Sequence, residues 1–137
     1  MPLTDEQIVE IVEQLDCGMV CFYHRPTGAV EFYPAPDNPY ADLELWQDTI
    51  DKIENDPANY DTFEKMSSSQ EFEVMEHFAH SLTDNKFRDQ ILECLSKRKP
   101  FRNFKELIHS SDYRQDWFNF KKNAYIDFVK EQINFKA

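Results

Sequence analysis

Residues 19–33 read MVCFYHRPTGAVEFY, and this stretch decides the fold. Two runs rich in β-branched and aromatic residues flank residues 25–28, where proline and glycine stand at positions that a type I turn accepts. The pattern predicts an antiparallel hairpin with strands at residues 19–23 and 29–33. A hairpin of this kind needs further elements to cover its apolar side chains.

The two faces of the hairpin follow from alternation along each strand. Side chains two residues apart point to the same face of a strand, so Val20 lies with Phe22 and Val30 with Phe32. We expect these four apolar side chains to share one face of the sheet.

The residues before the hairpin predict a helix. Thr4 can cap its start, and Gln7 stands three residues later, as in a capping box. The helix should end near residues 16–18. Its apolar stripe, at helical spacing, consists of Ile8, Ile11, Val12 and Leu15.

The residues after the hairpin begin with a proline-rich connection. Three prolines within residues 34–40 predict a stiff and exposed segment. An amphipathic acidic helix should follow until Pro57 stops it, and residues 59–66 predict a third strand. The apolar positions of that helix are Leu43, Trp46, Ile50 and Ile53.

The second half of the chain predicts four helices. Proline, serine, threonine and aspartate residues provide their starts. The first should be capped at Ser67, Ser68 or Ser69 and run to Leu82, the next should run from Thr83 as cap to about Lys97, the third from Pro100 or Phe101 to Ser110, and the last from Asp112. Their inward residues should include Phe72, Met75, Ala79, Leu82, Phe87, Ile91, Leu92, Leu95, Phe101, Phe104, Trp117, Phe120, Ala124, Phe128 and Val129. Of these, Phe101, Phe104 and Trp117 should form a mainly buried aromatic core.

These elements predict an α+β fold in which a small antiparallel sheet packs against a mostly helical second half. The 137 residues fit a single domain, residues 1–137. Only two glycines occur, which excludes glycine-rich phosphate loops, dinucleotide fingerprints and nucleophile elbows. No segment is long and apolar enough to cross a bilayer, and the start lacks a secretory signal pattern, so we expect a cytoplasmic protein.

Several short motifs resemble a known family. They are MEHF at residues 75–78, PFRNFK at 100–105, YR at 113–114, WFNFK at 117–121 and the threonine-glycine turn at 27–28. Together they make the chain similar to uncharacterised protein family 0158, a bacterial group, over most of its length. The resemblance implies a small cytosolic α+β protein with no assigned activity, catalytic residues or cofactor. It therefore carries no functional residues over to this chain.

Charge is distributed unevenly along the chain. The net charge is −11, but residues 1–83 hold 3 basic and 18 acidic side chains, whereas residues 84–137 hold 12 basic and 8 acidic ones. Two halves of one domain can attract each other in this way. The alternative is that the basic half receives an anionic ligand or acidic protein segment, or that the acidic half receives a cationic partner. The overall acidity argues against nucleic-acid binding.

The basic and aromatic residues near the C-terminus are the best candidates for binding. Their helical spacing can line a groove between the last two helices, where guanidinium and ammonium groups would hold a carboxylate or phosphate. The same residues could instead lay their stems over a buried aromatic core and pair with Glu106 or Asp116. The candidates are Arg102, Lys105, Arg114, Trp117 and Lys121.

An alternative site is a helix face that carries two glutamates and two histidines. Glu73 and His77, like Glu76 and His80, stand four residues apart, a spacing at which side chains can converge on a metal. The order differs from the His-Glu-x-x-His motif, and an exposed glutamate-rich helix often carries such pairs. We therefore expect no metal site and no cofactor here.

The cysteines offer little basis for chemistry. Cys17, Cys21 and His24 are close in sequence, but Cys21 and His24 have opposite parity in the predicted strand and should point to opposite faces. No histidine is singled out as the base of a thiol nucleophile. Three scattered cysteines, Cys94 being the third, are typical of a reducing compartment without disulfides.

Two functions remain open. The first is a non-catalytic binding or adaptor module, and the second is a small metal-dependent or other enzyme that uses the Glu73, Glu76, His77 and His80 face. The sequence favours the module, because it lacks glycine loops and an obvious triad.

Overall fold

The structure, a computed structural model, describes residues 3–38 and 41–136, with side chains described up to residue 133. Within these residues it contains a three-stranded antiparallel sheet and six α-helices. The elements are α1 (Asp5–Asp16), β1 (Met19–His24), β2 (Ala29–Pro34), a 3₁₀ turn (Leu43–Trp46), α2 (Gln47–Glu54), a 3₁₀ turn (Pro57–Asn59), β3 (Tyr60–Phe63), α3 (Ser68–Ser81), α4 (Asn85–Leu95), α5 (Pro100–His109) and α6 (Arg114–Lys136).

The chain forms two compact units. The first comprises residues 1–65 and 126–137, and the second comprises residues 66–125. The α+β class is confirmed, with all described strands in the N-terminal half. A single domain remains a prediction.

The first unit begins with α1, whose predicted capping box is confirmed. Thr4 Oγ1 accepts from the Gln7 backbone N–H at 3.1 Å, and Gln7 Oε1 accepts from the Thr4 backbone N–H at 3.1 Å. These two bonds satisfy N–H groups that a helix start leaves without partners. The four residues of the predicted stripe are all buried: Ile8, Ile11, Val12 and Leu15.

The sheet of the first unit has the order β2-β1-β3. The predicted hairpin and the predicted third strand are therefore both confirmed. Gly28 closes the hairpin turn with φ +74°, a backbone conformation that glycine adopts without steric cost. Gln7 Nε2 donates to the Gly28 carbonyl at 2.8 Å and so ties α1 to this turn.

The register of the hairpin differs from our expectation. Val20 lies opposite Tyr33, and Phe22 lies opposite Glu31. The last pair before the turn is His24 with Ala29, which leaves a loop of four residues. With four residues in the loop, each even-numbered residue of β1 lies opposite an odd-numbered residue of β2. Residues that lie opposite each other point to the same face of the sheet, so Val30 and Phe32 point to the face opposite that of Val20 and Phe22. The prediction of a shared face was wrong for this reason.

The face that carries Val20 and Phe22 packs against α2 through Ile53, together with Tyr33 and Tyr60. The predicted acidic helix exists, but its first turn, Leu43–Trp46, is 3₁₀. Among the described residues of these two elements, Ile53 alone is buried.

The proline-rich connection agrees with our expectation only in part. Pro34 is the last residue of β2 and is buried, so it belongs to the sheet. Pro36 and Asp37 are exposed, as predicted. Pro39 and Tyr40 lie outside the described residues.

The second unit contains α3, α4, α5 and residues 114–125 of α6. Ser67 caps α3 through a second capping box with Gln70. Asp84 caps α4 by accepting from the Phe87 backbone N–H at 3.1 Å, so the prediction of Thr83 as the cap was wrong. Both residues can cap a helix, and the helix starts one residue later than we expected.

An aromatic-rich core fills the second unit. Phe78 and Tyr125 are buried as well, although the sequence did not single them out. The predicted inward residues Phe72, Leu82, Leu92 and Phe120 are half-buried. The buried cluster is Met75, Phe78, Ala79, Phe87, Ile91, Leu95, Phe104, Ile108 and Trp117.

No helix of the described residues is both long and apolar enough to span a membrane.

Candidate functional site

Trp117 lies in the core of the second unit. Its exposed fraction is 7%, and its ring centroid lies 4.7 Å from that of Phe104 and 5.3 Å from that of Phe78. Both ring pairs are edge-on, the arrangement that aromatic quadrupoles favour. Of the predicted aromatic core, Trp117 and Phe104 are confirmed as buried, and Phe101 is half-buried. Trp117 therefore holds the fold together and is not available to a ligand at the surface.

Arg102 and Lys105 lie on the exposed side of α5. Arg102 precedes Phe104 by two residues, which places it about 160° around the helix from the ring that contacts Trp117. Its side chain is 68% exposed and pairs with Glu106 at 3.3 Å, as the structural interpretation of the sequence predicted. The structure therefore does not bring Arg102 together with Trp117.

Two further cations stand at the start of α5. Lys99 precedes Pro100 with φ 56° and ψ 55°, in the left-handed region, and Arg98 accepts a hydrogen bond on its carbonyl from Asn103 Nδ2 at 2.9 Å. Lys99, Arg102 and Lys105 follow one another at intervals of three residues. Within the described residues, the side chains of Arg98, Lys99 and Lys105 have no ion-pair partner. We call Arg98, Lys99, Arg102 and Lys105 the α5 cationic surface.

The remaining predicted residues lie on α6. Arg114 is exposed, and its guanidinium carbon lies 5.4 Å from the ring centroid of Phe118. Phe118 is 44% exposed, so this cation–π pair faces solvent. Lys121 is half-buried. The five predicted residues thus divide into a buried tryptophan, two exposed cations on α5, and an exposed and a half-buried cation on α6. Their role in binding remains a prediction.

The glutamates and histidines of α3 lie mostly on its outer side. Glu73, His77 and His80 are exposed, whereas Glu76 is half-buried. Among residues 3–38 and 41–136, no three side chains of His, Cys, Asp or Glu form a group that could hold a metal ion. The enzyme alternative therefore gains no geometric support from this helix.

Cys21 is a structural thiol. It is fully buried in β1, and its Sγ donates to the Ile11 carbonyl at 3.8 Å. Burial, with a smaller contribution from the charge of Glu10, raises the pKa of Cys21 to about 12. A thiol that stays protonated near neutral pH is a poor nucleophile and metal ligand.

A polar network on the sheet was missed by the sequence analysis. The Tyr60 hydroxyl donates to Glu31 Oε2 at 2.7 Å, and Lys52 Nζ donates to Glu31 Oε1 at 2.8 Å. The His24 ring lies 4.7 Å from that of Tyr60, and its Nε2 lies 3.5 Å from Asp56 Oδ2. The network joins β1, β2, β3 and α2 on one face of the sheet.

Two members of this network, Glu31 and Tyr60, have shifted pKa values. Burial by itself raises the pKa of Glu31, but the hydrogen bonds from Lys52 and Tyr60 outweigh it, so the pKa falls below its ordinary value. Burial and the bond to Glu31 raise the pKa of Tyr60 to about 12. Tyr60 thus remains a donor and Glu31 an acceptor, which suits a structural network better than general acid–base catalysis.

Comparison with known proteins identifies a family for this chain but no individual relative. No curated protein and no solved structure matches the chain significantly. The profile described as Uncharacterised protein family (UPF0158) matches residues 29–135, which is most of the chain. The turn at residues 27–28 lies just before this match, but the other motifs of the resemblance fall inside it. The chain therefore belongs to the uncharacterised protein family UPF0158.

Proposed function

We propose that this protein is a non-catalytic binding module of the cytoplasm that binds acidic protein segments through the α5 cationic surface. The observation that carries the proposal is the exposure of Arg98, Lys99, Arg102 and Lys105 within eight consecutive residues. The aromatic residues beside them are directed inward, so the surface itself is polar.

The charges of this surface suit an extended acidic partner better than a small anion. Arg102 and Lys105 lie about one turn apart on α5, and Lys99 is the residue immediately before its start, so the three cations extend over about 9 Å. Carboxylates along an extended or helical acidic segment can meet cations at this spacing. The contacts are exposed, so each contributes about 0.2 to 1 kcal/mol, and the affinity should be modest and sensitive to salt.

Two further observations support a binding role without catalysis. Burial raises the pKa of the Cys21 thiol to about 12, and the lowered pKa of Glu31 and the raised pKa of Tyr60 keep these two groups in one protonation state near neutral pH. The three cysteines are free, which is compatible with the proposed cytoplasmic location.

The test measures fluorescence anisotropy of a labelled short peptide of glutamate and glycine residues. Arg102→Gln combined with Lys105→Gln should weaken its binding about tenfold at low salt, because two exposed charge contacts are lost. The matched control, Lys86→Gln with Lys130→Gln, removes two exposed cations elsewhere and changes net charge equally.

Comparison of the two double variants distinguishes binding at the α5 cationic surface from attraction by net charge. Equal weakening by both double variants would mean that net charge alone attracts the peptide, and unchanged binding by the α5 variant would exclude this surface. Circular dichroism must first establish that both variants keep the helical content of the parent. Binding lost in the α5 variant alone supports the proposal.

A further inference from the structure

One exposed leucine stands out in the first unit. Leu45 is 81% exposed, the highest value among the exposed large apolar residues of the described chain. Asp42 precedes it by one 3₁₀ turn and Asp48 follows it by three residues, and both carboxylates are exposed. Asp42 caps the 3₁₀ turn, with its Oδ1 accepting from the Glu44 backbone N–H at 3.2 Å, and Asp48 lies in the first turn of α2, so an acid stands about one turn to either side of the leucine. We call these three residues the acidic leucine site.

A basic counterpart occurs on α6. Phe118 is 44% exposed, and Arg114 and Lys122, both exposed, stand one helical turn before and after it. Residues four apart share one face of a helix, so the aromatic ring lies between two cations. The cation–π contact of Arg114 already holds its guanidinium beside the Phe118 ring. We call these residues the basic phenylalanine site.

The two sites match in pattern, charge and length. Each has a central apolar residue with a charged residue on either side, and the charges are opposite. Asp42 and Asp48 are separated by about 10 Å along the 3₁₀ turn and the start of α2 that follows it, and Arg114 and Lys122 by about 12 Å along α6. Long arginine and lysine side chains easily accommodate this difference.

We propose that the acidic leucine site of one copy of this protein docks on the basic phenylalanine site of a second copy. Leu45 packs on the Phe118 ring, and the aspartates pair with Arg114 and Lys122. Both sites are exposed on the same polypeptide, so a solution of the protein always contains the complementary surface.

The contact is head-to-tail, because two different surfaces meet. It therefore leaves one unused site at each end and permits further growth. The apolar area is small and the ion pairs are exposed, so the dissociation constant should be about 100 µM or weaker, in the range of transient contacts. Association should weaken as salt rises.

Sedimentation velocity over a concentration series tests this inference. The parent should show an average mass that rises above 16.4 kDa with concentration and falls back at high salt. Leu45→Asp and Phe118→Asp should each remain monomeric, because each removes one of the two surfaces. Leu43→Asp is the matched control, since it adds the same charge in the same 3₁₀ turn and should associate like the parent.

Mixing the two disabled variants gives the sharpest result. Leu45→Asp retains the basic site and Phe118→Asp retains the acidic site, so an equimolar mixture should form a dimer that grows no further. A parent that is monomeric at every concentration overturns the inference, as does a mixture that stays monomeric. Leu45-dependent binding of a foreign basic peptide by a monomeric parent would also overturn it in favour of a different partner.

The inference stands apart from the binding role of the α5 cationic surface. The Arg102→Gln and Lys105→Gln variant should still self-associate, because neither residue belongs to the two docking sites. Failure of one proposal therefore leaves the other in place.

Discussion

Replacing Trp117 with alanine should lower the free energy of unfolding by about 4 kcal/mol. Truncation of a buried tryptophan removes about 3 to 5 kcal/mol through lost burial and the cavity that remains. Trp117 is 7% exposed, and its two edge-on ring contacts, with Phe104 and Phe78, add to the loss. The expected value therefore falls in the middle of that range or above it.

Urea unfolding followed by circular dichroism at 222 nm measures this change. With a denaturant slope of about 2 kcal/mol per molar, the midpoint should fall by about 2 M. Trp46 remains in the variant and provides a separate fluorescence signal from the first unit. Trp117→Phe keeps part of the packing and should lose about half as much, so it provides a measurement if the alanine variant does not accumulate.

Phe118→Ala is the matched control on the same helix. Its side chain is 44% exposed, so the loss should stay below about 1 kcal/mol. Equal midpoints for Trp117→Ala and Phe118→Ala would refute the reasoning, because Trp117 would then contribute no more than a surface residue.

Three other predictions concern helix starts, acid stability and thiol reactivity. Ser67→Ala should cost about 1 kcal/mol through loss of the α3 cap, measured by urea unfolding, whereas Ser69→Ala inside the helix should cost nothing or stabilise slightly. The pKa of Glu31 is lower in the folded protein, so its contribution to stability is present above the ordinary pKa of 4.5 and is lost as pH falls through the folded pKa. Glu31→Gln should therefore reduce the loss of stability on the acid side of a plot of unfolding free energy against pH. An unchanged plot would contradict this. Iodoacetamide should label the exposed Cys17 and spare the buried Cys21 in the folded protein, as peptide mass spectrometry can determine, and equal labelling would contradict the burial of Cys21.

Features set by local chemistry could be predicted from the sequence. The caps at Thr4 and Ser67 and the turn at 25–28 depend on side chains within a few residues of one another. The register of the hairpin depends instead on which pair closes the loop, His24 with Ala29, and alternation within each strand does not contain that information.

The sites were harder to predict because they depend on direction and on distant residues. Spacing alone shows that Arg102 and Lys105 can share one side of α5. It does not show which side of that helix contacts Trp117, and the structure places Phe104 there. The polar network joins Glu31 to Tyr60, which lies 29 residues away, and requires the correct register before the two can be paired. No local pattern identifies such a network.

At position 99, the backbone conformation favours glycine, whereas the α5 cationic surface requires the charge of lysine. A non-glycine residue in the left-handed region carries a steric cost of about 1 kcal/mol, which glycine would avoid. Lys99→Gly would relieve that strain but would also delete a cation from the start of α5. If the α5 cationic surface binds acidic segments, the substitution that makes the protein more resistant to denaturation is the one that weakens its recognition, so selection for stability alone would erode this surface.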